Sequence, residues 1–172
     1  MQTNKVLQLN LKICKLFIKR RQITILIMEN IFYEGQVIWA QIDANRHMRH
    51  SAYADICAQA RSNMLNKMGF SLDKFAQFQI GPILFREELI YSKEVHLDEY
   101  VQVKVELTKY NKINSRFSFI HQVYREDGTL CCTVNVDGAW LDLKLRKLTK
   151  LPEEMEPYLA KVPRAAGYEE IG

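Results

Sequence analysis

The chain has 172 residues, 48% apolar and 26% charged, which fits one folded domain and excludes a disordered or disulfide-stapled chain. Seven Gly and four Pro are too few for a collagen-like or low-complexity segment. No run of about 18 apolar residues occurs, so no transmembrane helix and no stable membrane insertion is expected.

The net charge of +4 is unevenly placed. Residues 1–27 carry Lys5, Lys12, Lys15, Lys19, Arg20 and Arg21 and no acid, whereas residues 28–172 hold 18 basic and 20 acidic side chains. A body without basic excess cannot neutralise a phosphate backbone, so nucleic acid is not an expected partner. Lysines interrupt every apolar stretch of the tail and no small-residue cleavage site follows, which argues against a signal peptide. The expected organisation is a dispensable basic extension over 1–27 and a single domain over 28–172. Cys14, Cys57, Cys131 and Cys132 form no C-x-x-C and have no histidines at zinc spacing. Buried reduced thiols and a cytoplasmic setting are expected.

In chain order, IFYEGQVIWAQI (Ile31 to Ile42) reads as a first strand, either unbroken or with a break near Gly35. A polar turn, DANRHMRHS, follows from Asp43. Tyr53, Ile56, Cys57, Ala60 and Met64 then fall on one stripe of a helix of about 17 residues. Ser51 is its expected N-cap and Gly69 its C′ residue. Beyond the helix the pattern is that of strands. Pro82 stands near the start of one, and VQVKVELT places Val101, Val103, Val105 and Leu107 on one face. RFSFIHQVY groups Phe117, Phe119, His121 and Val123, and Glu126-Asp127-Gly128-Thr129 is a hairpin signal. A last strand from Leu130 to Leu145, then a short helix or an irregular tail in proline-containing LPEEMEPYL, complete an α+β order.

Reactive side chains are densest in the polar turn, where Asp43, Asn45, His47, Arg49 and His50 stand together. The stretch Ile42-Asp43-Ala44-Asn45-Arg46-His47-Met48, with Tyr53 and Ala60-Arg61 downstream, resembles the hotdog-fold thioesterases of the 4-hydroxybenzoyl-CoA thioesterase-like superfamily. Its D-x-N-x-H spacing is also similar to the acyl-ACP thioesterase motif. The resemblance covers about Ile31 to Leu148. It implies a hotdog fold, with one long central helix wrapped by a five- or six-stranded antiparallel sheet. The implied activity is hydrolysis of an acyl-CoA, or of an acyl-ACP, to free acid and thiol. Asp43 is the implied base or nucleophile, with Asn45 and His47 positioning water or the thioester, and His50, Ser51 and Tyr53 binding substrate. Coenzyme A then enters as part of the substrate, with no cofactor and no metal, and a homodimer or homotetramer shares the site between subunits.

Two departures from the family pattern stand out. Arg49 and His50 occupy places where asparagines are frequent, and Ala58 falls where many relatives carry a helix glutamate. The missing glutamate keeps a non-catalytic acyl-binding protein as an alternative. An enoyl-thioester hydratase or dehydratase is another, although that class usually has one more residue between Asn and His.

Thioester hydrolysis needs a base or nucleophile, a polarised carbonyl and an apolar slot. Asp43 follows an apolar strand, so partial desolvation and raised basicity are expected. The helix start near Ser51 to Tyr53 offers backbone N–H groups to a developing negative charge. By residue type alone, Asp43 is equally a turn cap. His121, beside Phe117 and Phe119, reads as a packed core histidine, and His96, beside Glu94 and Asp98, as an exposed one. Thr133, Asn135 and Asp137 form a polar strand face, turned to solvent or to a partner subunit. Asp43, His47 and His50 have no diagnostic metal spacing. The absence of a Gly-rich phosphate loop and of G-x-S-x-G excludes Rossmann and α/β-hydrolase enzymes.

Overall fold

A computed structural model describes residues 29–172; the basic extension, its Cys14 and Met28 lie outside the described residues. Strand β1 spans Ile31–Gln36. The strand expected to run on to Ile42 stops there: the Val37 N–H still reaches the Glu99 carbonyl at 2.9 Å, but the Val37 carbonyl accepts from Asp98, at φ +65°, and the ladder ends. A 3₁₀ turn over Trp39–Gln41 follows, with the Gln41 side chain accepting from the Ile38 N–H at 3.0 Å.

Helix α1, His50–Met68, buries Tyr53, Ile56, Cys57, Ala60 and Met64 as the stripe predicts. It ends at Gly69, whose φ of +108° is the left-handed conformation that favours glycine. The N-cap is Arg49, not Ser51: the Arg49 backbone is extended and its carbonyl accepts from the Ala52 N–H at 2.9 Å. Ser51 lies inside the first turn, where its hydroxyl accepts from Arg49 Nη1. A second helix, α2 (Leu72–Phe78), stands where strand was expected. Ser71 caps it by accepting from the Lys74 N–H at 3.3 Å.

The remaining strands are β2 (Ile80–Tyr91), β3 (Tyr100–Asn111), β4 (Arg116–Arg125), β5 (Leu130–Asp142), β6 (Lys147–Thr149) and β7 (Arg164–Ile171). A short helix α3, Glu156–Leu159, precedes β7. The sheet has seven strands in the order β1-β3-β4-β5-β2, with β6 on β5 and β7 on β3. This corrects the expectation of five or six antiparallel strands, since β7 pairs with β3 in parallel. β5 also stops earlier than expected: Asp142 Oδ1 accepts from the Lys144 and Leu145 N–H groups, both at 2.8 Å, and turns the chain back into β6. The hairpin at Asp127-Gly128 forms as read, with Gly128 at φ +85°.

Helix α1 packs against β1, β3, β4 and β5. Their alternation supplies Val101, Val103, Val105, Leu107, Phe117, Phe119, Val123, Val134 and Val136 to one buried face. The opposite face is polar. There Asp137 accepts from Ser118 Oγ at 2.6 Å and from Arg86 Nη1 at 3.2 Å, and Asn135 donates to Glu88 at 3.2 Å. The Ser118 hydrogen bond, with Arg86 beside it, holds the Asp137 carboxyl below its ordinary range. Among the described residues no helix is long and apolar enough to cross a membrane.

Candidate active site

The turn between the 3₁₀ segment and α1 is built around Asp43. Its Oδ1 accepts from the Asn45 N–H at 2.8 Å and from the His47 N–H at 3.3 Å. Its own N–H donates to the His47 carbonyl at 2.9 Å, and its carbonyl accepts from Arg46. Arg46 takes φ +68° to close the turn. In the single chain Asp43 and Asn45 are exposed, which corrects the expectation that the strand end would desolvate the carboxylate. Both backbone bonds fall on Oδ1, and Oδ2 takes neither.

Arg49 braces this turn against the helix. Its Nη2 meets Asp55 Oδ2 at 3.2 Å, its Nε donates to the Ala40 carbonyl at 3.3 Å, and its N–H donates to the Gln41 carbonyl at 2.7 Å. His50 is exposed at the first position of α1, and its carbonyl accepts from Tyr91 Oη at 3.3 Å. Tyr53 is buried, with its ring edge-on to Tyr91 at 5.4 Å. Burial pushes the Tyr53 hydroxyl well above its ordinary pKa, so it stays protonated. Ala58 is exposed on α1.

Three residues outside the motif join the turn. His47 Nε2 lies 2.9 Å from Glu94 Oε2, and the His47 ring stands edge-on to His96 at 5.2 Å. A β-bridge between His47 and His96 and the Met48 N–H to Val95 carbonyl bond of 2.7 Å hold the two segments together. Behind them Glu99 accepts from the His96 N–H at 2.7 Å. His96 is exposed in its loop, as the sequence predicts; its meeting with His47 has no local signal beyond the company of two acids within a short polar stretch.

The protein's second chemical locus lies deeper. His121 is fully buried, with Nδ1 3.1 Å from the Val134 carbonyl and Nε2 3.1 Å from Arg61 Nη1. A carbonyl only accepts, so Nδ1 carries the proton and Nε2 accepts from Arg61. Burial, with the Arg61 charge adding to it, pushes the His121 pKa down to about 3. Arg61 also lines a cavity of about 130 Å³ with Leu65, Pro82, Leu84, Phe117, Phe119 and Trp140. A broader open groove of about 550 Å³ between β1 and α1 holds no motif residue. Cys57, Cys131 and Cys132 are buried free thiols, and burial raises the pKa of each, Cys132 to about 11. They are poor nucleophiles in this setting.

Solved structures share this fold. A Staphylococcus aureus protein characterised in complex with CoA superposes with a TM-score of 0.73 at 21% identity, over 83% of this chain and 91% of that one. The 1,4-dihydroxy-2-naphthoyl-CoA thioesterase from Synechocystis gives 0.66 at 18% identity, over 75% and 94%. A probable thioesterase from Escherichia coli, YbaW, gives 0.68 at 16% identity, over 77% and 98%. No curated protein matches the sequence. The profile of the thioesterase-like superfamily matches residues 37–159, which include the whole motif turn, α1 and strands β2 to β6. With most of its length so matched, the chain belongs to the thioesterase-like superfamily, among proteins of hotdog fold.

Proposed function

We propose that the protein hydrolyses acyl-CoA to free acid and thiol, with Asp43 as base or nucleophile. The observation that carries this reading is the turn itself: an exposed carboxylate, fixed through one oxygen by two backbone N–H groups, four residues before a histidine at the mouth of α1. As base, Asp43 takes a proton from water while the water oxygen adds to the thioester carbonyl. The first-turn amides of His50 and Ser51, which a helix leaves without intrahelical acceptors, stabilise the charge growing on the carbonyl oxygen. Collapse expels the CoA thiolate, which takes up the proton. Asn45 and His47 position the reactants, and Glu94 orients His47. The reaction needs no resident cofactor, because coenzyme A arrives with the substrate.

The acyl group enters the cavity beside Arg61 and Trp140, and the site is shared by two copies. Leu84 at the cavity and Tyr91 at the turn are seven residues apart on β2, about 24 Å of extended strand, too far for a short acyl group to span. β2 is a sheet edge that exposes Leu84, Phe85, Ile90 and Tyr91. Such an edge favours pairing with another strand. Antiparallel pairing of two β2 strands about their midpoint sets the turn of one copy beside the cavity of the other.

Thiol release from straight-chain, branched and aryl-CoA substrates, with acyl-ACP alongside, tests the activity. Light scattering tests the assembly, with a mass of about 40 kDa or a multiple expected from the 20.2 kDa chain. A folded protein that releases thiol from no member of the panel would overturn the reading. Exposed Ala58, in place of the helix glutamate, favours a second reading in which the protein binds acyl-CoA without turnover. Calorimetric binding with no thiol release is its signature.

A further inference from the structure

The segment holding Glu94, His96 and Glu99 does more than buttress the motif turn. Glu94 presents its two carboxylate oxygens to two different imidazoles, Oε2 at 2.9 Å from His47 Nε2 and Oε1 at 3.9 Å from His96 Nε2. One donor atom from each of the three residues lies within 4.8 Å of the other two. Donors on a tetrahedral ion with bonds of about 2.0–2.1 Å sit about 3.4 Å apart, so the 2.9 Å contact must open and the 3.9 Å contact close, each by roughly 0.5 Å, to form a coordination shell. The other nitrogen of His96, Nδ1, lies 3.6 Å from Glu99 Oε2, and Glu99 is itself held by the His96 N–H. A carboxylate on the far nitrogen of an imidazole is the arrangement that orients metal-binding histidines. All three donor residues reach solvent, which leaves room for water or a further ligand.

We propose that His47, Glu94 and His96 form a binding site for a divalent transition-metal ion of the zinc class, with Glu99 orienting His96. Two imidazole nitrogens and one carboxylate suit Zn²⁺, Co²⁺, Ni²⁺ or Cu²⁺ and are a poor set for Mg²⁺ or Ca²⁺, which take oxygen ligands. The site regulates rather than catalyses. His47 belongs to the motif turn, and an ion on its Nε2 withdraws it from the thioester and locks the turn to residues 94–99. This consequence rests on the proposed thioesterase activity; the binding itself does not.

Calorimetric titration of Zn²⁺ into chelator-stripped full-length protein, without substrate, tests the binding. One ion per chain is expected, with no Mg²⁺ uptake. His96→Ala and Glu94→Gln each weaken binding at least tenfold, and Glu99→Gln weakens it about 10–100-fold, the usual worth of an orienting carboxylate. Co²⁺ substitution gives a visible absorption band of low coordination number that His96→Ala abolishes while circular dichroism is unchanged. Zinc uptake that is absent, or equal in wild type and in folded His96→Ala and Glu94→Gln, overturns the site. For the regulatory step, acyl-CoA consumption is followed chromatographically, because zinc also binds the released thiol. Zinc slows wild type and spares His96→Ala, whereas equal slowing of both overturns the regulatory role.

Discussion

Asp43 is where a turn cap and a reacting group make different demands, and two substitutions separate them. Asp43→Asn is nearly isosteric, and an amide oxygen accepts from the Asn45 and His47 N–H groups as the carboxylate does. Stability therefore holds, while the negative charge is lost. Asp43→Ala removes both bonds, at 2.8 and 3.3 Å, from an exposed turn. Each is worth about 0.5–1.5 kcal/mol, and water repays part of the loss, so the net cost is about 1–2 kcal/mol. In a chain of this size that lowers Tm by roughly 2–8 °C. Turnover behaves differently: both variants lose about 10²–10⁴-fold, the worth of a positioned proton-transfer group. The assays are thermal unfolding by circular dichroism and steady-state thiol release on the best acyl-CoA. Near-normal turnover in a well-folded Asp43→Asn protein would refute the assignment and leave Asp43 a structural cap.

The buried, neutral His121 makes stability depend on pH. The unfolded chain takes up a proton at its ordinary pKa near 6.5, but the native site holds out until about 3. Stability from this site is complete above about pH 6.5 and falls as pH drops toward 3, by about 1.4 kcal/mol at pH 5.5. His121→Gln flattens that slope in urea unfolding, and an unchanged slope contradicts the burial argument. Gly138→Ala should be poorly tolerated, because its Cβ would lie 2.4 Å from Phe117 Cε2 and 2.5 Å from the Ile83 carbonyl oxygen. Overpacking against fixed backbone costs about 1–3 kcal/mol, which thermal unfolding reads as a Tm lower by roughly 2–12 °C. Leu84→Trp fills the cavity mouth and shifts preference toward smaller acyl groups, so an unaltered substrate profile would place the acyl slot elsewhere. A chain begun at Met28 keeps its thioester hydrolysis, since residues 1–27 contribute no motif side chain; loss of soluble protein would make the extension structural.

Local sequence determined what depends on near neighbours. The α1 stripe from Tyr53 to Met64 recurs at the helical period, and Val101 to Leu107 alternate at the strand period; each set of spacings suits one buried face. The Asp127-Gly128 hairpin and the glycine stop of α1 were equally legible, because the backbone conformations they need are ones glycine supplies. Local chemistry also misled. Ser51 is a good capping type, but the helix begins two residues earlier than that role requires, and α2 is a capped helix of seven residues within a stretch whose pattern reads as strand. β7 was invisible for a different reason. RAAGYEEI alternates weakly, and it is a strand because β3 offers it a parallel edge after α3 has returned the chain. The same limit applies to the site. Asp43, Asn45 and His47 lie within five residues and could be read together, whereas Glu94 and His96 meet His47 only after the chain has passed through α1 and β2. Arg61 and His121 likewise come together only when α1 settles on β4. Periodicity shows which side chains turn inward, and the tertiary fold decides which of them meet, because contacts between distant segments depend on the crossings of the whole chain.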